Sequence, residues 1–323
     1  MPKVSVCMIT YNHEKYIAQA IESALMQKTN FDYELVIGED CSTDKTKHVI
    51  IKYQNRYPDK IKAIMNKKNL GMVPNFIQTL RACSGQYIAL LEGDDYWTDP
   101  NKLRKQVDFL ENNQDYSISS HNVYVMPDGS KSQPIEWLGR KHKEISTLED
   151  ILEYGSGGAT CSLVFRRKSI IPLPKWFYTL PSGDWPLQVL CTSKGKMYYF
   201  SEVMGVYQTN TSNNSLSTAI RQALEKGEET IGLPYKNTLK VIDIFDQHFK
   251  YRYSKLLKNQ EIYAYYNLAH EYKQNKEFIK ARYYALNSLK EIFGWYPYLS
   301  PRRIIELIKI VLISYYENSK PPN

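Results

Sequence analysis

The sequence predicts an α/β fold, a mainly parallel sheet flanked by helices, continued by a helical C-terminal region. Three observations predict it. Short apolar runs alternate with helix-periodic segments through roughly the first hundred residues, as strand-helix-strand units require. Polar and acidic segments directly follow successive apolar runs. From about residue 219 turn-forming residues thin out, while Leu, Ile, Tyr and Lys recur at helical spacing. The chain therefore divides into residues 1–215 and a helical region 216–323.

Val4 to Thr10 is a buried strand, followed by a helix over Glu14 to Gln27 with Ile17, Ala20, Ile21, Ala24 and Leu25 on one face. Tyr33 to Gly38 reads as a second strand. Ser42 to Tyr57 reads as a helix capped by Ser42 or Thr43, and Ile61 to Asn66 as a third strand. Val73 to Cys83 is helical, Gly85 supplies a turn, and Tyr87 to Leu91 is an apolar strand running into Glu92-Gly93-Asp94-Asp95. Pro100 and Lys102 to Leu110 start a further helix. Beyond it come strands at Ile118 to Met126 and Cys161 to Phe165, with a loop at Pro127-Asp128-Gly129 and a turn at Gly155 to Gly158. Within the last region, Tyr266, Leu268, Ala269, Tyr272, Phe278, Ala281, Tyr284 and Ala285 resemble one tetratricopeptide helix pair.

Composition narrows the function classes. A formal charge of +8 favours anionic partners, but Lys and Arg are spread along the chain and form no basic stripe interleaved with aromatics, so nucleic acid is not the expected partner. The five cysteines Cys7, Cys41, Cys83, Cys161 and Cys191 are irregularly spaced without a C-x-x-C pair, which points to a reduced, cytoplasmic setting. No signal peptide is expected, and the most apolar stretch, Ile304 to Tyr315, is interrupted by Glu306 and Lys309 and reads as an amphipathic helix.

Chemistry concentrates at Glu92, Asp94 and Asp95. Carboxyls packed this closely repel one another unless a cation or hydrogen-bond donors compensate them, and Mn or Mg bridging to phosphate oxygens is one such compensation. The other reading is a helix N-terminus, where acidic residues are also stabilised. Position favours a site, since ligands of open parallel sheets sit beyond the carboxyl ends of the strands. Thr10-Tyr11-Asn12 and Glu39-Asp40 occupy the same rim, with Asn12 also suited to opening a helix. The six histidines show no metal-ligand spacing, and His121 at a strand end reads as packed or substrate-side.

Four ordered segments carry a resemblance: Val4 to Asn12, Glu39 to Asp44, Asn69-Leu70-Gly71 with Asn75, and Gly85 to Asp95. In order and spacing the chain resembles the family-2 inverting glycosyltransferases of the GT-A fold over about residues 3 to 110. The resemblance implies a donor site for a nucleotide-diphosphate sugar, UDP-linked by preference, built from Thr10, Tyr11, Asn12, Glu39, Asp40, Asn69, Asn75, Glu92 and Asp94. It implies a divalent cation, Mn or Mg, on Asp94 and Asp95. Glu39 and Glu92 each stand where the family commonly carries Asp, which leaves their individual contacts open, and Glu92 is expected toward ribose or behind the ligands.

An inverting transfer needs a base, and Ser182-Gly183-Asp184-Trp185-Pro186-Leu187 resembles the family's later acidic motif, so Asp184 is the expected catalytic residue; the bland alternative is a helix cap. Trp97, Trp137, Trp176 and Trp185 are candidates for stacking on a sugar, Trp185 foremost. The family's late histidine has no counterpart in Tyr207 to Ser212. The implied acceptor is a hydroxyl of a glycan, lipid-linked or protein acceptor in cell-surface polysaccharide assembly. The basic surface and Pro301 to Tyr316 are compatible with peripheral attachment to the inner membrane face or with self-association. The competing reading is a degenerate nucleotide-sugar-binding module whose helices form a partner surface.

Overall fold

The computed structural model describes residues 1–127, 143–209, 229–295 and 300–318. The chain separates into two compact units, residues 1–151 with 156–215, and residues 152–155 with 216–323.

The first unit is built on a nine-stranded mixed sheet. Strand β1 (Val4–Thr10) lies between β2 (Tyr33–Glu39) and β4 (Tyr87–Leu90), and β3 (Ile61–Met65) follows β2 at the edge, all four parallel. These strands are near-continuous runs of buried apolar residues because helices cover them. Registers Thr10↔Glu39, Glu39↔Met65 and Cys7↔Leu90 bring their carboxyl ends to one rim. The helices are α1 (Ile17–Leu25), α2 (Thr46–Arg56), α3 (Met72–Ala82) and α4 (Lys102–Asn112). The core joins Val6, Met8, Leu35, Ile37 and Ala89 of the sheet to Ile17 and Ile21 of α1 and Leu103 and Val107 of α4. Each fully buried Leu or Ile contributes about 1.5–3 kcal/mol.

Helix α3 reaches the sheet because residue 38 is glycine. A Cβ there would lie 1.9 Å from Thr79 Oγ1 and 2.7 Å from Asn75 Oδ1, so any side chain would push the helix off β2.

The sheet continues from β4 through the antiparallel strand β8 (Val164–Arg166) to β6 (Tyr116–Pro127), then β9 (Lys196–Thr209), which runs parallel to β6. Two-residue strands β5 (Tyr96–Trp97) and β7 (Ile145–Ser146) both pair antiparallel with β9. Helix α5 spans Leu148–Tyr154 and α6 spans Asp184–Thr192.

Several local expectations are corrected. The first helix begins at Ile17, not Glu14, because Asn12 takes a left-handed φ of 56° and the His13 carbonyl accepts the amides of Tyr16 and Ile17. The second begins at Thr46, and neither Ser42 nor Thr43 caps it; the Asp44 carboxylate accepts the Thr46 amide at 2.9 Å instead. Cys161 opens no strand but sits in a 3₁₀ turn, Thr160–Ser162, ahead of β8. From residue 128 the expected loop lies outside the described residues, as does Trp137.

The second unit consists of helices α7 (Leu233–His248), α8 (Ser254–Gln274), α9 (Phe278–Trp295) and α10 (Pro301–Asn318). Leu268, Ala269 and Tyr272 of α8 meet Ala281 and Ala285 of α9 and Leu307 and Ile310 of α10 in a core of its own. Among the described residues no helix is long and apolar enough to cross a membrane.

Candidate active site

Three loops at the carboxyl rim of the parallel strands are strapped together by side chains that sequence alone assigned to a ligand. Asn12 Oδ1 accepts the Thr43 amide at 2.8 Å, while the Asn12 amide donates to Ser42 Oγ at 3.0 Å. Asp40 is buried; its Oδ1 accepts the Leu70 amide and the Asn66 side chain, and its Oδ2 accepts the Gly71 amide, each at 2.9 Å. Asn75 is buried too, donating to the Gly38 carbonyl and accepting from Asn66. Asp40 and Asn75 thus brace the rim from within the chain. Glu39 receives the Ser42 amide on Oε1 at 2.6 Å and keeps a buried, unpartnered Oε2. Asn69 is exposed and accepts the Gly71 amide within its own turn, and Tyr11 is half-buried on the rim.

The acidic cluster follows directly. The Gly93 amide donates to the Ile9 carbonyl, which carries the segment after β4 alongside β1 and brings Asp94 beside Thr10 and His13. Asp95 turns inward and is 2% exposed, with Oδ1 accepting the Gln208 amide at 2.8 Å. Asp95 Oδ2 and Glu92 Oε2 are buried without a hydrogen-bond partner. Burial first, then the Asp94 charge, raises the Asp95 carboxyl well above its usual range; burial, then Asp95, Asp184 and Asp94, raises Glu92 likewise.

Asp184 opens α6, with Gly183 as the residue before the helix. The residue is exposed at the start of the helix, where the protein atoms around it raise its carboxyl above the ordinary value and the Thr160 side chain partly offsets them. The helix is moored by Gln188, whose Oε1 accepts the Gly157 amide at 2.7 Å and whose Nε2 donates to Ser156 Oγ at 2.6 Å. The glycine-containing turn thus positions the helix that presents Asp184. Trp185 donates to the Ile151 carbonyl and is half-buried, whereas Trp97 is 1% exposed and donates to the Cys161 carbonyl, which removes it as a sugar-stacking surface. His121 is buried and packed.

Sequence reasoning missed two neighbours of this cluster. Tyr207 on β9 has its hydroxyl raised by burial and then by Asp95, Asp184, Glu92 and Asp94, so one phenol sits in the field of all four carboxyls. His13 faces Asp94, with Nε2 at 3.7 Å from Oδ2. The only signal for either was adjacency to a motif.

Carboxyls gathered with buried, unpartnered oxygens fit a hard divalent cation. Lys102 of α4, whose ammonium burial pushes down to about 7, lies 3.9 Å from the Trp97 ring centroid with no hydrogen-bond partner on Nζ, so it forms no ion pair with them. Among the described residues no three His, Cys, Asp or Glu side chains form a ready-made metal cage. Mg or Mn held between one or two carboxylates and a diphosphate does not need one.

A family model described as Glycosyl transferase family 2 matches residues 5–171. The chain belongs to glycosyltransferase family 2. Curated relatives include an uncharacterised protein of Mycobacterium tuberculosis, 36% identical over 210 residues, 64% of this chain and 58% of the relative, so the match spans well under two thirds of that protein's length. A UDP-Glc:alpha-D-GlcNAc-diphosphoundecaprenol beta-1,3-glucosyltransferase of Escherichia coli is 34% identical over 128 residues, 40% of this chain and 49% of the relative. Among solved structures, Staphylococcus aureus TarS 1-349 in complex with UDP-GlcNAc aligns over 99% of this chain and 93% of its own, with TM-score 0.54 and 16% identity. A mannosyltransferase from Pyrobaculum calidifontis in complex with GDP-Man and Mn2+ covers 99% and 88%, with TM-score 0.55 and 14% identity. These likenesses show a GT-A fold for this member of family 2.

Proposed function

We propose that the chain transfers a sugar with inversion from a UDP-linked donor to a hydroxyl acceptor, using Asp184 as base and a divalent cation at Asp94 and Asp95. The observation that carries this reading is the gathering of Glu92, Asp94 and Asp95 after β4, with Asp184 of α6 near enough to raise Glu92 and Tyr207. Asp184 takes the acceptor proton as the acceptor oxygen attacks the anomeric carbon. The bond from that carbon to the diphosphate oxygen breaks with its electron pair remaining on the phosphate, and the nucleoside diphosphate leaves. Mn or Mg, when bound, offsets the charge developing on the departing diphosphate. Of the donor-side groups, Asn69 is exposed, Tyr11 and Asn12 are half-buried, and Thr10 and Glu39 are buried.

The UDP preference rests on the nucleotides named for the E. coli relative and the S. aureus neighbour, and the E. coli acceptor supports a lipid-linked acceptor in cell-surface glycan assembly. A screen of UDP- and GDP-sugars for donor hydrolysis with and without Mn tests the reading; metal-dependent release of UDP supports it, and no turnover of any nucleotide sugar overturns it.

For location, we favour the cytoplasmic face of a membrane. On α10, Ile305, Ile308, Leu312, Tyr315 and Tyr316 are exposed as one stripe beside Arg302, Arg303 and Lys309, the pattern of an interfacial helix. Co-sedimentation with anionic vesicles that weakens at high salt supports this, and a dimer that ignores vesicles assigns the stripe to self-association instead.

A further inference from the structure

His13 is held at both ends of its residue. Its backbone amide donates to Thr46 Oγ1 at 2.8 Å, and its carbonyl receives the amides of Tyr16 and Ile17 at the start of α1, so the ring is delivered from a fixed backbone. The side chain is 11% exposed and lies between Thr10 and Asp94. Nδ1 is 3.2 Å from Thr10 Oγ1, and Nε2 is 3.7 Å from Asp94 Oδ2. In the tautomer in which Nδ1 accepts the Thr10 hydroxyl, the ring's N–H is on Nε2, the nitrogen nearer the carboxylate.

The backbone above is shaped to this arrangement. A Cβ on Gly93 would lie 2.5 Å from Thr10 Oγ1, 2.7 Å from Thr10 Cβ and 3.0 Å from His13 Nδ1. Only glycine lets the segment between Glu92 and Asp94 cross the Thr10–His13 pair at this distance.

The geometry points to His13 as a positioning residue for Asp94: it braces the carboxylate through Oδ2, so that Asp94 is preset to hold a divalent cation. This rests on the reading of Asp94 as a cation-binding residue. Groups hydrogen-bonded behind metal-binding side chains fix their orientation, and losing one typically weakens metal affinity about 10–100-fold. A separation that is long in the free protein closes when ligand arrives.

The two ring nitrogens can be tested separately. Glutamine places an amide nitrogen near the Nε2 position, whereas asparagine reaches only the Nδ1 position. The readout is Mn2+ affinity at saturating UDP, by titration calorimetry on the full chain, with a parallel arm using GDP and thermal unfolding recorded without metal. His13→Ala is expected to weaken Mn2+ binding about tenfold or more, His13→Gln to restore most of it, and His13→Asn to behave like alanine. Unchanged Mn2+ affinity in His13→Ala, or equal rescue by Asn and Gln, overturns the inference and leaves the cation site standing. Should the alanine variant fail to fold, the contrast between Asn and Gln decides. Wild-type protein that binds UDP and GDP equally well without Mn2+ overturns the cation site itself, and the inference with it.

Discussion

The amide of Gln208 donates to Oδ1 of Asp95 at 2.8 Å, joining positions 113 residues apart. Through this bond the last strand of the sheet ties down the acidic segment after β4, and Tyr207, the residue before Gln208, lands among the four carboxyls. The end of β4 is therefore braced from β9 and from β1 before any ligand arrives.

That bracing stores repulsion. Burial and the Asp94 charge raise Asp95, and burial with Asp95, Asp184 and Asp94 raises Glu92, so neutralising either relieves a folded-state cost. Glu92→Gln and Asp95→Asn are expected to unfold roughly 2–4 °C higher than the parent in metal-free buffer, for about 1 kcal/mol relieved. Both should lose Mn-dependent transfer. Calorimetric melting with and without Mn measures the two effects together, and a lower melting temperature in both variants would contradict the stored repulsion.

Asp184 acts, on this account, only on the acceptor proton. Asp184→Asn should lower kcat by about 10²–10⁴-fold while leaving UDP affinity nearly unchanged. Wild-type turnover in that variant would remove Asp184 as the base.

Asn12 does two jobs, accepting the Thr43 amide and holding a φ of 56° that disfavours most L-residues. Asn12→Ala is expected to cost about 1–3 kcal/mol, combining the strain with the lost hydrogen bond, and to raise donor KM. Asn12→Gly, relieved of the strain, should retain more stability while still losing the Thr43 contact. Denaturant melts of the pair separate the two contributions.

Away from the site, Glu34 accepts Ser5 Oγ at 2.6 Å and the Ser84 amide and hydroxyl at 2.8 Å. Burial opposes the charge, but these bonds and Lys62 outweigh it and hold the carboxyl below its ordinary value of 4.5. A depressed carboxylate stabilises the fold fully above the unfolded value and loses that contribution as pH falls through the folded one. The stability advantage of the parent over Glu34→Gln should therefore be constant near neutral pH and shrink below about pH 4.5. An advantage that grows on acidification would contradict the assignment.

The strand-helix repeat was legible because buried parallel strands are apolar runs and their helices are periodic. The acidic cluster was legible for the same reason, since a charged segment following an apolar strand has few explanations. The bracing by Asp40 and Asn75 was not legible, because sequence could not reveal Leu70, Gly71 and Gly38 as their partners. Strand β9 was not read as a strand: Glu202 and Gly205 break its pattern, and its pairing with β6 shifts register at His121 and Asn122. His13 looked like any loop histidine, since its meeting with Asp94 depends on β1 and β4 being neighbours in the sheet.

The central claim is that carboxylates at the end of β4 hold a cation that grips the donor diphosphate. UDP binding measured with Mn2+ and then with chelator, in the parent and in Asp94→Asn, tests it most directly. The account predicts tight binding only for the parent with Mn2+; equal binding under all four conditions would contradict it.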